Sequence, residues 1–239
     1  MKSTRNRVQS CRWPVFLTVV LLLVAAIAVS ASSPVYAKSK KKKKKAKVTY
    51  QVTLAHAKND EKGRFSSASY GAKPGDQKGN EVAMDSYFSY SGWTYVARPK
   101  NPAAAKIIAQ QAINGCKNNN IGYGKDGIQL YDAAEMVNFQ LNNIQVKVHT
   151  DCYQFVHTCC AAAGITASPI FLDVEGDTEY YYYAEGEERP QFSYEVFDIF
   201  RDKAHRKKAE MLKVGDILVR QGRKQHAAIV CKIKKVKKK

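Results

Sequence analysis

The sequence predicts one mixed domain of strands and helices behind an export segment. Three observations carry this. Residues 48–57, VTYQVTLAHA, alternate as a strand does. Helical stretches follow between Asn101 and Gly164, and the chain closes on two further strands, the last apolar on both faces. At 239 residues there is enough chain for one good core, with room for extensions but hardly for a second full domain.

The export segment comes first. Basic residues precede PVFLTVVLLLVAAIAV, which carries no charge, and SASSPVYA then ends in small residues at Val35 and Ala37. This is the plan of a secretory signal over 1–37, cleaved after Ala37; an uncleaved anchor over 14–31 is the competing reading. Either way the domain is expected outside the cytoplasm. The formal net charge of +18 sits in the ends of the chain: four basic residues within 1–37, eight lysines in the linker 38–47 and six in the tail 232–239 account for all of it. Residues 48–231 are neutral, with 21 basic and 21 acidic side chains. Like-charge blocks of this kind read as solvated and disordered, attracted to any polyanion; the neutral body offers no basic face for specific nucleic-acid binding.

Within the body, 58–80 is turn-rich and polar and reads as a long loop. EVAMDSYFSYSGWTYVARP reads as two short strands joined at Ser91-Gly92. Asn101-Pro102 opens a helix that ends near Gly115. A second helix is expected over roughly 126–139, with Ile128, Tyr131, Ala134 and Val137 at helical spacing. A third starts at Asp151, a good N-cap, and stops at Gly164; Phe155, Val156, Cys159, Cys160 and Ala163 form its apolar stripe, which reaches back one turn to Cys152. Strands follow at 217–220 and from about Gln225. On the last, His226, Ala228 and Val230 face one way, and Ala227, Ile229 and Cys231 the other.

Six cysteines are present, and Cys11 leaves with the signal. The remaining five are odd in number, so at least one stays unpaired within the chain. No C-x-x-C or H-x-x-x-H spacing occurs, and no metal is expected. Cys152 at a helix N-terminus meets the positive end of the dipole and free backbone N–H groups, which should lower its pKa and receive an oxyanion. A histidine on a buried strand needs a partner, and His226 suits the role of its base. His56, His149, His157 and His205 read as satisfied structural histidines, with His149 the strongest rival base.

DCYQFVHTCCAAAGI followed by VGDILVRQGRKQHAAIV resembles the NlpC-type cysteine peptidases of bacterial cell walls. GDQKGNEV, GWTYVARPKNPAAAKIIAQ and NNNIGYGKDGIQLYDAA are similar to the phage-lysin branch of that clan, the peptidoglycan amidases and endopeptidases. The resemblance covers about Gly71 to Val230. It implies a papain-like α+β core in which a helix with the nucleophile at its N-terminus packs on a small antiparallel sheet. It assigns the nucleophile to Cys152 and the base to His226, with no cofactor. Two departures matter: Tyr153 replaces the small residue that usually follows the cysteine, and the strand after His226 lacks a polar orienting residue. Asp76, Gln77 and Tyr123 are the candidates for orienting or oxyanion roles. Tyr153, together with Tyr181 and Tyr182 from the acidic, tyrosine-rich stretch between Ser168 and Phe197, is the candidate for substrate binding.

The resulting expectation is a secreted, monomeric, wall-associated hydrolase acting on peptidoglycan, with the lysine runs holding it near anionic wall polymer or the membrane surface. The alternative is a catalytically impaired wall- or surface-binding protein that keeps the fold.

Overall fold

A computed structural model describes residues 48–87, 90–170, 193–222 and 225–237. Its frame is a six-stranded antiparallel sheet in the order β2-β1-β8-β7-β3-β6, comprising β1 (Val48–Ala57), β2 (Val82–Ser86), β3 (Tyr95–Pro99), β6 (Phe197–Phe200), β7 (Ile217–Arg220) and β8 (His226–Lys237). A separate parallel pair, β4 (Ile121–Tyr123) and β5 (Val148–Thr150), lies among the helices in sequence. The helices are α1 (Pro102–Lys117), α2 (Leu130–Glu135), α3 (Cys152–Ala161), and the short α4 (Ser193–Val196) and α5 (Lys203–Lys207). The molecule is thus α+β, with an antiparallel sheet. Among the described residues no helix is long and apolar enough to cross a membrane. The export segment 1–37, its anchor alternative 14–31 and the lysine linker 38–47 lie outside the described residues.

Period-two alternation gives the central strands an apolar face on each side of the sheet. Ala55, Ala57, Ala227 and Ile229 join one core with Ile108 and Ala112 of α1 and Phe155, Val156 and Cys159 of α3. Leu54, Ala228 and Val230 join a second core with Tyr87, Trp93 and Leu212. Asn101 caps α1 by accepting from the Ala103 N–H, and Pro102 sits where a missing N–H costs nothing.

Three elements differ from their sequence expectations. The strands β2 and β3 do not form a hairpin: β2 pairs with β1 and β3 with β6 and β7, so the chain crosses to the other half of the sheet through Trp93. The second helix is confined to Leu130–Glu135. Ile128 at its expected start is exposed, and Asn138 and Phe139 turn left-handed at φ 51° and 55°.

The lysine tail is no free tail over 232–237. It continues β8 and pairs with β1 from Val48↔Lys237 to Thr53↔Lys232. Ile233 and Val236 stand half-buried among exposed lysines, and the strand ladder supplies the backbone partners. Cys231 is the extra residue of a bulge, because Thr53 pairs Lys232 while Leu54 pairs Val230.

Candidate functional site

Asp151 fixes the start of α3. Its backbone is extended, and Oδ1 accepts from the N–H groups of Tyr153 and Gln154, both at 2.8 Å. Cys152 is therefore the first residue of the helix, placed directly after β5. The β4–β5 pairing sets Tyr123 opposite Thr150, which brings a tyrosine 29 positions upstream to the cysteine's end of the helix. This needs Gly122: a Cβ there would lie 2.1 Å from the Gly75 carbonyl oxygen, so only glycine lets the 75–76 backbone cross β4. Asp151 also pairs with Lys125.

His226 opens β8 opposite Arg220 of β7. Its Nε2 lies 2.6 Å from His56 Nδ1 on β1, and His56 Nε2 lies 3.1 Å from Asp85 Oδ2 on β2. The same carboxylate oxygen accepts from Lys58 Nζ at 3.0 Å and from the Tyr90 hydroxyl at 2.8 Å. The rings of Tyr90 and Trp93 stand within 26° of parallel to His226, at 5.8 and 6.1 Å between centroids. The line His226–His56–Asp85 thus crosses three strands on one face of the sheet.

Cys152 and His226 open into a common cavity of ≈ 330 Å³, lined also by His56, Tyr123, Tyr153 and Arg220. The strand ladder between β1 and β8 ends at Ala55↔Ile229. Beyond it, the backbone amide of Ala227, the residue after His226, counts among the groups that favour the Cys152 thiolate. Among the described residues no hydrogen bond joins the thiol and the imidazole directly, and what they share is the cavity wall.

Both groups rest neutral. Burial pushes the Cys152 thiol up to about 12, the Asp151 carboxylate adds to this, and the Ala227 amide and Lys125 ammonium oppose it. This reverses the expectation from the helix terminus. Asp151 already takes the Tyr153 and Gln154 N–H groups, and its charge opposes the dipole at the sulfur. Burial, with His56 and Arg220 adding to it, pushes His226 down to about 3. His56 is lowered by burial against the pull of Asp85. Hydrogen bonds, from His56 first and then from Lys58 and Tyr90, hold Asp85 well below the usual carboxylate range.

Of the other expected site residues, Tyr123 and Tyr153 line the cavity. The Tyr123 hydroxyl accepts from the Ser66 N–H, and its own proton has no acceptor among the described residues. Asp76 and Gln77 do not line the cavity. Asp76 gathers backbone N–H groups from Lys78 to Val82, and the Gln77 amide donates to the Pro74 and Gly75 carbonyls, so both build the loop over β4. Tyr181 and Tyr182 lie outside the described residues. His149 is buried, bonded through Nδ1 to the Asp126 carbonyl, and does not line the cavity. The thiols of Cys116, Cys152, Cys159, Cys160 and Cys231 are all free. No cluster of three or more His, Cys, Asp or Glu side chains among the described residues could hold a metal ion.

Sequence reasoning missed His56, Asp85 and Tyr90. Their signal was present: His56 shares the alternation of the buried strand with Leu54, and a fully buried imidazole demands a polar partner. The partner is invisible in the sequence because residues 82–86 read as the hairpin partner of 95–99 rather than of β1.

A family model described as an endolysin-like domain matches residues 54–236, from β1 to the penultimate residue of β8. No curated protein and no solved structure matches the chain.

Proposed function

The chain belongs to the endolysin-like domain family, and from that premise we propose that it is a secreted peptidoglycan hydrolase cutting an amide bond of the stem peptide through a thioester on Cys152. The observation that carries the reading is the shared cavity, with Cys152 at a helix start and His226 at a strand start. A papain-like core belongs to the same proposal. It is supported by a helix bearing the cysteine at its N-terminus and packed on an antiparallel sheet that carries the histidine.

The steps follow from the neutral pair. As the sulfur attacks the amide carbon, His226 takes the thiol proton, in the manner of a general base rather than a preformed ion pair. The carbonyl oxygen gains charge and is held by the Cys152 N–H and the Tyr123 O–H. His226 then passes its proton to the amine nitrogen as the C–N bond breaks, leaving the thioester. Water gives a proton to His226 and its oxygen to the acyl carbon. The C–S bond breaks, and the sulfur recovers the proton from His226. His56 holds the His226 ring through these transfers, the orienting role that the strand after His226 cannot fill.

The proposal places the domain outside the cytoplasm on the strength of 1–37. The lysines of 38–47 and 232–239 hold it near anionic wall polymer or membrane surface, a retention that salt weakens. The resting geometry favours one other reading: the raised thiol and the missing thiol–imidazole bond suit an impaired wall-binding protein. Acid-quenched mass spectrometry of the chain with soluble peptidoglycan fragments separates them. A peptide adduct on the Cys152 tryptic fragment supports the hydrolase, and fragments bound without any adduct support the binder.

A further inference from the structure

We propose that Asp85 is a positioning residue that acts two strands away from the base: through His56 it dictates which nitrogen of His226 is free to take the proton. This rests on the reading of His226 as the base, and it goes beyond that reading by assigning the base atom and the residue that selects it.

The ring protons can be counted along one line of contacts. Lys58 Nζ has only protons to offer, and the Tyr90 hydroxyl donates to the same oxygen. Two donors from outside the line therefore fix Asp85 Oδ2 as an acceptor, at 3.0 and 2.8 Å. The third donor on that oxygen must be His56 Nε2, 3.1 Å away. A neutral imidazole carries one ring proton, so with Nε2 protonated the His56 Nδ1 is bare and can only accept. At 2.6 Å the atom facing it is His226 Nε2, which must then carry the His226 proton. The remaining nitrogen, His226 Nδ1, is left bare, and that is the atom able to receive the thiol proton.

Without Asp85 the two histidines have an equally good alternative. His56 could carry its proton on Nδ1 and donate it to His226 Nε2, which would put the His226 proton on Nδ1 and occupy the base. The His56–His226 contact alone cannot choose between these arrangements, since either direction satisfies it. The carboxylate breaks the tie. The burial of His56, at 0 % exposure, removes water as a competing partner on either nitrogen.

The test reads protons directly. The full chain labelled with ¹⁵N-histidine contains five histidines, few enough to assign through single His→Gln variants. Two-bond ¹H–¹⁵N correlation at pH 7 is expected to place the proton of both His56 and His226 on Nε2. A proton on Nδ1 of either ring in the wild type overturns the proposal without any variant. In Asp85→Leu the His226 signal is expected to lose its pure pattern and gain Nδ1-protonated population. Asp85→Asn is expected to keep the wild-type pattern, because Lys58 and Tyr90 turn its amide oxygen toward the three donors. A folded Asp85→Leu with an unchanged His226 pattern contradicts the selecting role and leaves Asp85 as structural.

Release of wall fragments gives the matching kinetic readout, with kcat reduced at least tenfold in Asp85→Leu at unchanged KM and largely restored in Asp85→Asn. The proton pattern is recorded without substrate. A chain that cuts no peptidoglycan yet shows the expected pattern refutes the hydrolase reading and leaves the selection intact.

Discussion

The reactivity of Cys152 toward an alkylating reagent follows from the site without further assumption. A free thiol in this position would ionise near 9, and burial beside Asp151 moves it to about 12. That rise leaves about a thousandfold less thiolate at neutral pH, and only the thiolate reacts. At pH 7 the folded protein without substrate should therefore label at Cys152 about 10³ times more slowly than an unstructured peptide carrying the same DCYQF sequence. Iodoacetamide labelling followed by tryptic mapping measures this site by site, and unfolding the protein in guanidinium should restore the peptide rate. Asp151→Asn keeps an N-cap and removes the carboxylate, so labelling should accelerate several-fold. Labelling of native Cys152 at the peptide rate, or an inflection below pH 9, would refute the neutral resting pair and point to a preformed thiolate.

Other outcomes follow from the same contacts. His226 ionises near 6.5 when unfolded and near 3 when folded, so between those values the unfolded chain binds the extra proton and stability falls as pH falls. From pH 7 to pH 5 its share is about 2 kcal/mol, read by urea unfolding at both values; His226→Gln should flatten the dependence by that amount, and an unaltered slope would contradict the burial of a neutral imidazole. Gly122→Ala forces a Cβ onto the Gly75 carbonyl and should cost about 3 kcal/mol in chemical denaturation while displacing Tyr123; a loss under 0.5 kcal/mol would show that the crossing at β4 yields easily. Tyr123→Phe keeps the ring and removes one oxyanion donor, so kcat for amide cleavage should drop about 10²-fold with KM little changed, and an unaffected kcat would leave the Cys152 N–H as sole donor.

How much of this was legible in the sequence depends on the range of the contact involved. The α3 cap and stripe are local, set by Asp151 and by apolar spacing within ten residues, and the sequence places the helix start at Cys152 as the structure does. The two-sided burial of β8 was equally local, and Ala227 and Ala228 do fall in different cores. What failed required knowledge of strand order. His56 and Asp85 meet only because β2 crosses to the outer side of β1, and nothing in EVAMDSYF distinguishes that pairing from a hairpin with β3. The depressed thiol pKa expected at a helix terminus failed for a different reason. The macrodipole alone would favour a thiolate there, but the residue that caps the helix also takes up its N–H donors and carries the opposing charge. Residues 232–237 misled because composition outweighed pattern: lysines dominate, yet Ile233 and Val236 give β1 a partner to pair with.

The most direct test is digestion of purified peptidoglycan by the full chain, with Cys152→Ala and His226→Ala alongside and mass spectrometry of the soluble fraction. Soluble fragments carrying new amine and carboxyl ends from the wild type alone, with release by both variants reduced at least a hundredfold, is the expected result. Release by Cys152→Ala at the wild-type rate, or by none of the three proteins on several wall types, would contradict the assignment of Cys152 as the nucleophile of a wall hydrolase.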